Sequence, residues 1–518
     1  MADDTVNGEE LDLHWKEEDE LLGYAAEGVL CKNMDEIIKR IAAVKTTVKR
    51  INLNNQSTLT QVPEVLKECE LLEELNISHT EITAIPDFVF ALPSLRILSC
   101  CCKKIPEPPT GFAEAQKLEK LHIRINENWK FPEGISSLSE LKILYIDMYS
   151  EADLPKDLGR LKKLEELLLS IKREQGTVQD LPDTFSKHEA LKNVSIIDIA
   201  FRNYKVFDFE KTAQALSSCR ALESLTLSGF NLKKQKELSR LTGLKELILR
   251  HLLTEGSIFE SIANLKALEK LEIQGSEFKV KQVPDIFANF KEMRFFSFAG
   301  NFVNELPPSL FTLTKLITLE IGSTGIGALD EKIGNLKNLE HLHFYDNLLE
   351  KLPNSVFTLP ALAVLNIEEN FIKAQDMAAI KQKIIAMNKA GRRIELTCGS
   401  QGHRIAVKKL RAINFLETIN SADYFRYCMA AVCEKPNALR YVRDNLLKDN
   451  EYIQVCLEAA LRNAYADFLI NINYKRLRRA DYERICWAAV IHFPAAVSKM
   501  IEPTEELLAI AGSSRRID

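Results

Sequence analysis

The 518-residue chain lacks any run of about eighteen or more apolar residues, and that absence excludes a helical membrane span. Its first stretch, Met1 to Glu20, lacks an apolar segment and is acidic, so no secretory signal peptide is expected. It lacks a strong charge of either sign. A net charge of -5 exerts no global pull on nucleic acid or on an anionic membrane, so neither is an expected partner. It also lacks the G-x-x-x-x-G-K-[ST] phosphate loop, the G-x-S-x-G nucleophile turn and the protein-kinase motif set. The eleven cysteines are odd in number and scattered. That suits free thiols in a reducing cytosol better than a disulfide framework. The expected location is cytoplasmic.

What the chain has is a repeat. Residues Leu339 to Pro353 read L-E-H-L-H-F-Y-D-N-L-L-E-K-L-P, the frame L-x-x-L-x-[LF]-x-x-N-x-L-x-x-L-P. The frame recurs about every 23 residues, the period of a solenoid. First positions fall at Val48, Leu72, Leu95, Leu118, Leu141, Leu164, Leu191, Leu222, Leu244, Leu268, Met293, Leu316, Leu339 and Leu362. Apolar residues follow three and five positions on. Side chains alternate along a strand, so these positions point inward and the residues between them face out. An apolar content of 46% is ample for such a core.

From Val48 to Asn370 this pattern resembles the leucine-rich repeat family, in the subtype whose convex side carries a Leu-Pro step. The resemblance implies an α/β solenoid with a parallel concave sheet and a helical or irregular convex side. It also implies that Asn at the ninth position bonds backbone between coils. Asn126, Asn301, Asn347 and Asn370 occupy that place. Thr80, Ser276 and Thr324 replace it with weaker groups, while Lys103 and Tyr149 cannot act in the same way. Pro punctuates most coils, from Pro63 to Pro353, where a fixed φ and a missing N–H suit an arc without ladder bonds. No Pro occurs between Ala213 and Gln282, so more helix is expected on that stretch of the convex side. Two coils are longer, with extra residues near Lys172 to Val178 and Phe201 to Phe209.

A solenoid needs caps. Residues 1–47 are read as an acidic tail and a helical cap, with helices over Glu9–Leu30 and Met34–Val48 and Asp35 as an N-cap. The solenoid spans 48–397 and closes with a helix at Asp376–Ala390, Gly391 as its C-cap, and a strand at Ile394–Leu396. Residues 403–518 form an all-helical domain, because apolar clusters recur at Ala430-Ala431-Val432, Ala459-Ala460-Leu461 and Ala488-Ala489-Val490. That spacing looks like a bacterial and protist helical repeat family of uncharacterised function, which implies no chemistry.

Equivalent residues of neighbouring coils lie about 4.8 Å apart, so candidate sites are read across coils. An apolar patch on the concave face comprises Ile97, Ile125, Ile143, Tyr145, Met148, Leu168 and Ile171, with His122, Arg124 and Asp147 among them. Exposed hydrophobes with Tyr and Arg resemble the centre of a protein interface. Arg124 and Asp147 are adjacent and expected to pair. A polar patch holds His341, His343 and Tyr345 beside Glu320, Glu368 and Glu369. Its His-x-His pair is a zinc-compatible start without a third ligand in sequence, so no metal and no cofactor is assigned. A patch of small residues, Gly229, Gly275, Ala299, Gly300, Gly322 and Ser323, leaves room for a partner. Tyr204 and Phe207 are the expected exposed aromatics of the Phe201–Phe209 excursion. In Ser99-Cys100-Cys101-Cys102 the first thiol is expected in the core and the other two exposed near Lys103 and Lys104. The basic run Lys475 to Arg479 reads as a solvated helix end.

The expected function is an intracellular, non-enzymatic scaffold that binds a protein on its concave face. The competing reading is an enzyme resembling the secreted bacterial ubiquitin ligases, which join leucine-rich repeats to a helical domain with a Cys nucleophile. Cys428, Cys433, Cys456 and Cys486 are its only candidates, and Cys433-Glu434 departs from the Cys-x-Asp arrangement of those ligases.

Overall fold

The computed structural model describes residues 10–12, 15–16, 27–28, 31–151, 153–172, 180–199, 205–254, 258–275, 283–301, 303 and 305–399; in the C-terminal part it describes 424–425, 428–429, 431–432, 438–439, 442–462, 469, 471–492 and 500. Tyr204, Ser276 and Cys433 lie outside the described residues. The chain divides into two compact units, Met1–Phe278 and Lys279–Asp518.

The first unit is a stack of coils on a parallel sheet. Its strands run in chain order from Glu10–Asp12 and Arg50–Asn52 to Glu246–Arg250 and Lys270–Gln274. One inward row forms its spine: Leu75, Leu98, Leu121, Leu144, Leu167, Val194, Leu225, Leu247 and Leu271 are register partners in turn. All are buried. Each coil cannot hide its apolar side alone, so stacking is what makes the core. Leu247→Ala empties one rung of this spine and is expected to cost about 2–5 kcal/mol. Its neighbour Glu246 faces out and pairs with Lys270 at 2.5 Å, so Glu246→Ala should cost only about 0–1 kcal/mol. Equal losses in urea denaturation would mean that the inward and outward positions are misassigned.

A second row runs along the sheet edge. The residue after each first position alternates in sign: Lys49, Glu73, Arg96, Glu119, Lys142, Glu165, Lys192, Glu223, Lys245 and Glu269. Glu119 accepts from Arg96 Nε at 2.8 Å and from Lys142 Nζ at 2.9 Å. Lys192 reaches Glu165 and Lys245 reaches Glu223, each at 2.7 Å.

Convex segments are mostly short 3-10 turns. Pro63, Pro86 and Pro182 sit at the N-caps of Glu64–Glu68, Asp87–Val89 and Asp183–Lys187, with φ of -63°, -66° and -58°. That is the angle the pyrrolidine ring imposes, so Pro sets the corner from which each turn starts. The proline-free stretch carries the α-helix Ile258–Ile262 and the 3-10 segment Gln235–Arg240, just after the α-helix Glu210–Ser217.

The N-terminal cap differs from the expected pair of helices. Within Glu9–Leu30, Glu10–Asp12 is a strand paired in parallel with Arg50–Asn52, and Trp15–Lys16 pairs antiparallel with Glu27–Gly28. The open end of a sheet offers unpaired N–H and C=O groups, and the alternation of Glu10, Leu11 and Asp12 fits them: Leu11 stacks in register with Ile51 and is buried. The helix Met34–Val44 is present, but its cap is Asn33 rather than Asp35. Asn33 Oδ1 accepts from Glu36 N–H at 3.0 Å, while Glu36 accepts from Lys32 N–H at 2.8 Å, a capping-box arrangement displaced by one residue.

The Phe201–Phe209 excursion is also corrected. Lys205–Asp208 is a strand of a second, three-stranded parallel sheet with Phe230–Lys233 and Leu253–Thr254. Phe207 is fully buried against Phe209 and Phe230, with ring centroids 5.7 and 5.4 Å away. The aromatics supply a satellite core, because alternation in Lys205–Asp208 sends Phe207 inward and leaves Val206 exposed.

In the second unit, Phe295–Ser297, Thr318–Glu320, His341–His343, Val364–Asn366 and Glu395–Thr397 are parallel neighbours in chain order. The helix Ala374–Lys389 buries Met377, Ile380 and Ile384 and ends at Gly391 with φ +97°. A separate helical core follows. It contains the helices Asp449–Arg462 and Arg479–His492 and the buried side chains Tyr424, Cys428, Tyr452, Cys456 and Cys486. The Tyr424 hydroxyl accepts from Arg443 N–H at 2.7 Å, and the Tyr452 hydroxyl from Asn473 N–H at 2.8 Å. Tyr452 and Cys456 thus repeat the construction of Tyr424 and Cys428.

Candidate functional site

The outward positions of the first unit form rows because the strands are in register. One row is Ser99, His122, Tyr145, Leu168 and Ser195; a parallel one is Ile97, Lys120, Ile143, Glu166 and Asn193. Tyr145 is the best-held side chain in them. Its hydroxyl donates to Glu166 Oε1 at 2.7 Å, Lys120 Nζ lies 5.1 Å from its ring centroid, and His122 meets the ring edge-on at 5.9 Å. Burial, then the Glu166 carboxylate, pushes the phenol up to about 12, so it stays a neutral donor. Ile143, Tyr145 and Leu168 are all half-buried. Ile197 and Ile248 are outward and half-buried too. They were missed, although continuing the Tyr145 row finds Ile248 and continuing the row of Arg124 and Asp147 finds Ile197.

Three members of the expected apolar patch are not on this face. Ile125, Met148 and Ile171 are buried, at 0%, 7% and 5% exposure. Strands Lys120–Ile125, Ile143–Met148 and Glu166–Ile171 are six residues long. Alternation therefore continues inward for one more step.

Arg124 and Asp147 are register partners but do not pair as expected. Arg124 Nε donates to Asn126 Oδ1 at 2.5 Å and its guanidinium lies 3.5 Å from the Tyr149 ring centroid. Asp147 is buried and takes Lys172 Nζ at 2.6 Å, with His122 Nε2 at 3.9 Å. Burial pushes the Asp147 carboxyl up, but the nearby His122 ring and the hydrogen-bonded Lys172 ammonium outweigh it and hold it below the usual range. Cys101 completes this group: one ligand atom each from Cys101, His122 and Asp147 lies within 4.8 Å of the others. Row spacing alone hides the cluster, since Cys101 and Asp147 belong to coils that are not adjacent.

The expected exposed thiols are buried. Cys100, Cys101 and Cys102 are 2%, 1% and 1% exposed, and burial pushes each thiol up, that of Cys102 to about 11. Lys104 pairs with Glu81 at 2.7 Å. Burial likewise pushes Cys428 and Cys456 to about 12 and Cys486 to about 11, whereas a nucleophilic thiolate needs the opposite shift. In the basic run, Arg476 meets Asp449 and Asp444, and Arg478 and Arg479 meet Asp481 and Glu483.

In the second unit the rings of His341 and His343 stack with centroids 6.3 Å apart. Glu320 accepts the Tyr345 hydroxyl at 3.0 Å, and burial lowers the His343 pKa. Two of the small residues have internal reasons. A Cβ on Gly322 would stand 2.3 Å from Tyr345 Cζ, and one on Gly229 would stand 2.2 Å from the Asp198 carbonyl oxygen, with φ at +88°. Their space is taken by neighbouring coils.

In-register parallel strands, stacked leucines and Asn side chains that bond between coils define a leucine-rich repeat fold. Among solved structures the chain is similar to a leucine-rich repeat protein of Leptospira interrogans, with 21% identity and a TM-score of 0.49 over 71% of this chain and 100% of that one. It is also similar to an internalin from Listeria monocytogenes, with 17% identity and a TM-score of 0.46 over 70% of this chain and 89% of that one. Comparison with protein-family models and with curated proteins gives no match. Among the described residues no helix is long and apolar enough to cross a membrane.

Proposed function

We propose that this protein is an intracellular, non-enzymatic scaffold that takes a protein partner on the open sheet face of its first unit. The observation that carries this reading is the row through Tyr145 and Leu168. An aromatic ring clamped by Glu166, Lys120 and His122 stands beside an outward Leu, with Ile143 and Ile97 in the adjoining row. Pre-ordered Tyr beside apolar surface is the composition of energetic anchors, since little side-chain entropy remains to be lost.

Leu168→Asp puts a charge into any desolvated contact there while the inward Leu164, Leu167 and Leu169 stay in place. Affinity capture from a cell lysate should lose its specific partner with this variant, a loss of about 2 kcal/mol or more for an anchor, while the thermal midpoint stays nearly unchanged. His343→Ala, in the second unit, should weaken capture less. Normal capture by Leu168→Asp would place the binding surface elsewhere.

A further inference from the structure

We infer that Cys101, His122 and Asp147 form a binding site for a divalent transition metal of the zinc class, on the outward side of three consecutive strands. The donor set comes first. A thiolate sulfur, an imidazole nitrogen and a carboxylate oxygen are the three donor types that zinc accepts, and their mixed softness disfavours calcium and magnesium. The three ligand atoms lie within 4.8 Å of one another, and His122 Nε2 is 3.9 Å from Asp147 Oδ2. Zinc bond lengths set tetrahedral ligand atoms roughly 3.3–3.8 Å apart, so closure asks for side-chain rotations of about an ångström and no backbone movement.

The scaffold holds the ligands. Cys101 directly follows Ile97–Cys100, His122 lies within Lys120–Ile125 and Asp147 within Ile143–Met148, all locked in register. Outer contacts orient them as metal sites require: Cys101 N–H donates to Ser78 Oγ at 3.2 Å, and the Tyr145 edge packs at 80° to the His122 ring. The site already holds a cation. Asp147 is 6% exposed, and Lys172 Nζ sits on its Oδ2 at 2.6 Å. The lysine chain is long enough to swing to solvent, as snorkelling side chains do. Loading therefore exchanges an ammonium for the metal ion at the Asp147 carboxylate, and the Cys101 thiol releases its proton to water as the metal–sulfur bond forms. Arg124, turned onto Tyr149, adds a further positive charge nearby, and His79, whose pKa burial lowers, adds a neutral imidazole.

Exposure decides between a metal site and a Cys-His-Asp nucleophile. Cys101 is 1% exposed, too closed for an organic substrate, while the His122 side chain at 30% gives a small hydrated ion a way in. Three protein ligands leave the fourth tetrahedral position to water.

The test is titration of the full chain with cobalt(II) alone, followed by absorbance, with zinc as competitor. We expect one equivalent bound, with a thiolate-to-cobalt charge-transfer band that zinc abolishes. Cys101→Ser should lose the band, whereas Cys486→Ser, in the helical core, should keep it. His122→Ala, at a half-exposed position, should weaken binding about tenfold or more and covers the case in which Cys101→Ser fails to fold. Lys172→Met leaves all three ligands intact and removes an ammonium that repels the metal ion, so it should tighten binding about tenfold or more. Absence of stoichiometric binding, binding without the charge-transfer band, or a band that survives Cys101→Ser would overturn the site.

Discussion

Asp198→Ala is expected to cost about 3–5 kcal/mol, the loss that follows when one member of a buried ion pair is removed and the other is left unpaired. Asp198 ends the strand Asn193–Asp198 of the main sheet, and Lys205 opens the strand Lys205–Asp208 of the small sheet. Their Oδ2 and Nζ atoms meet at 2.7 Å with side chains 1% and 3% exposed. Gly229 lets the next coil close over this point, its missing Cβ leaving space for the Asp198 carbonyl. Asp198→Leu combined with Lys205→Met should bring stability back to within about 1 kcal/mol of the parent, because a well-packed apolar pair replaces a costly desolvated one. Urea denaturation of the two single variants and the double variant checks this. Single variants that cost less than about 1 kcal/mol would show that water reaches the pair.

Asn347→Ala should be nearly as severe in the second unit. Its Oδ1 accepts from the backbone N–H groups of Thr324, Gly325 and Ile326 at 3.1, 3.1 and 3.3 Å and from the Thr324 hydroxyl at 2.7 Å. Its Nδ2 donates to the carbonyls of Ile321 and Tyr345 at 2.6 and 3.0 Å. Each buried group left unmade costs about 1–3 kcal/mol. Partial relaxation toward water leaves an expected loss of about 3–5 kcal/mol. Thr324→Ala removes one of these donors and should cost about 1 kcal/mol. Comparable losses for the two variants in a denaturation series would show that Asn347 does not organise this turn.

The inward frame was legible because it rests on strict alternation, and Leu75, Leu144 and Leu247 obey it. The errors at Met148 and Ile171 arose where a strand outlasts the repeat's usual length and alternation continues past it. Phe207 was misread for a related reason: a cluster of aromatics in a long excursion suggests a contact loop, yet every second residue of Lys205–Asp208 points to one side. Leu11 carries the same lesson at the N-terminus. The Cys101, His122 and Asp147 cluster was not legible, since it brings together side chains of coils that are not adjacent, with the intervening Arg124 turned aside onto Tyr149.

The alternating edge of the first unit gives the array a parity. Excise one coil between Lys49 and Glu269, and two like charges become neighbours where opposite ones had met. Excise two, and the sign pattern closes without a fault. Each contact along this exposed edge is worth only about 0–1 kcal/mol, but a like-charge junction is adverse where an opposite one was favourable. The edge is thus indifferent to shortening or lengthening by pairs and resists it by single copies, which makes two coils, about 46 residues, the cassette in which this half of the chain can be recombined.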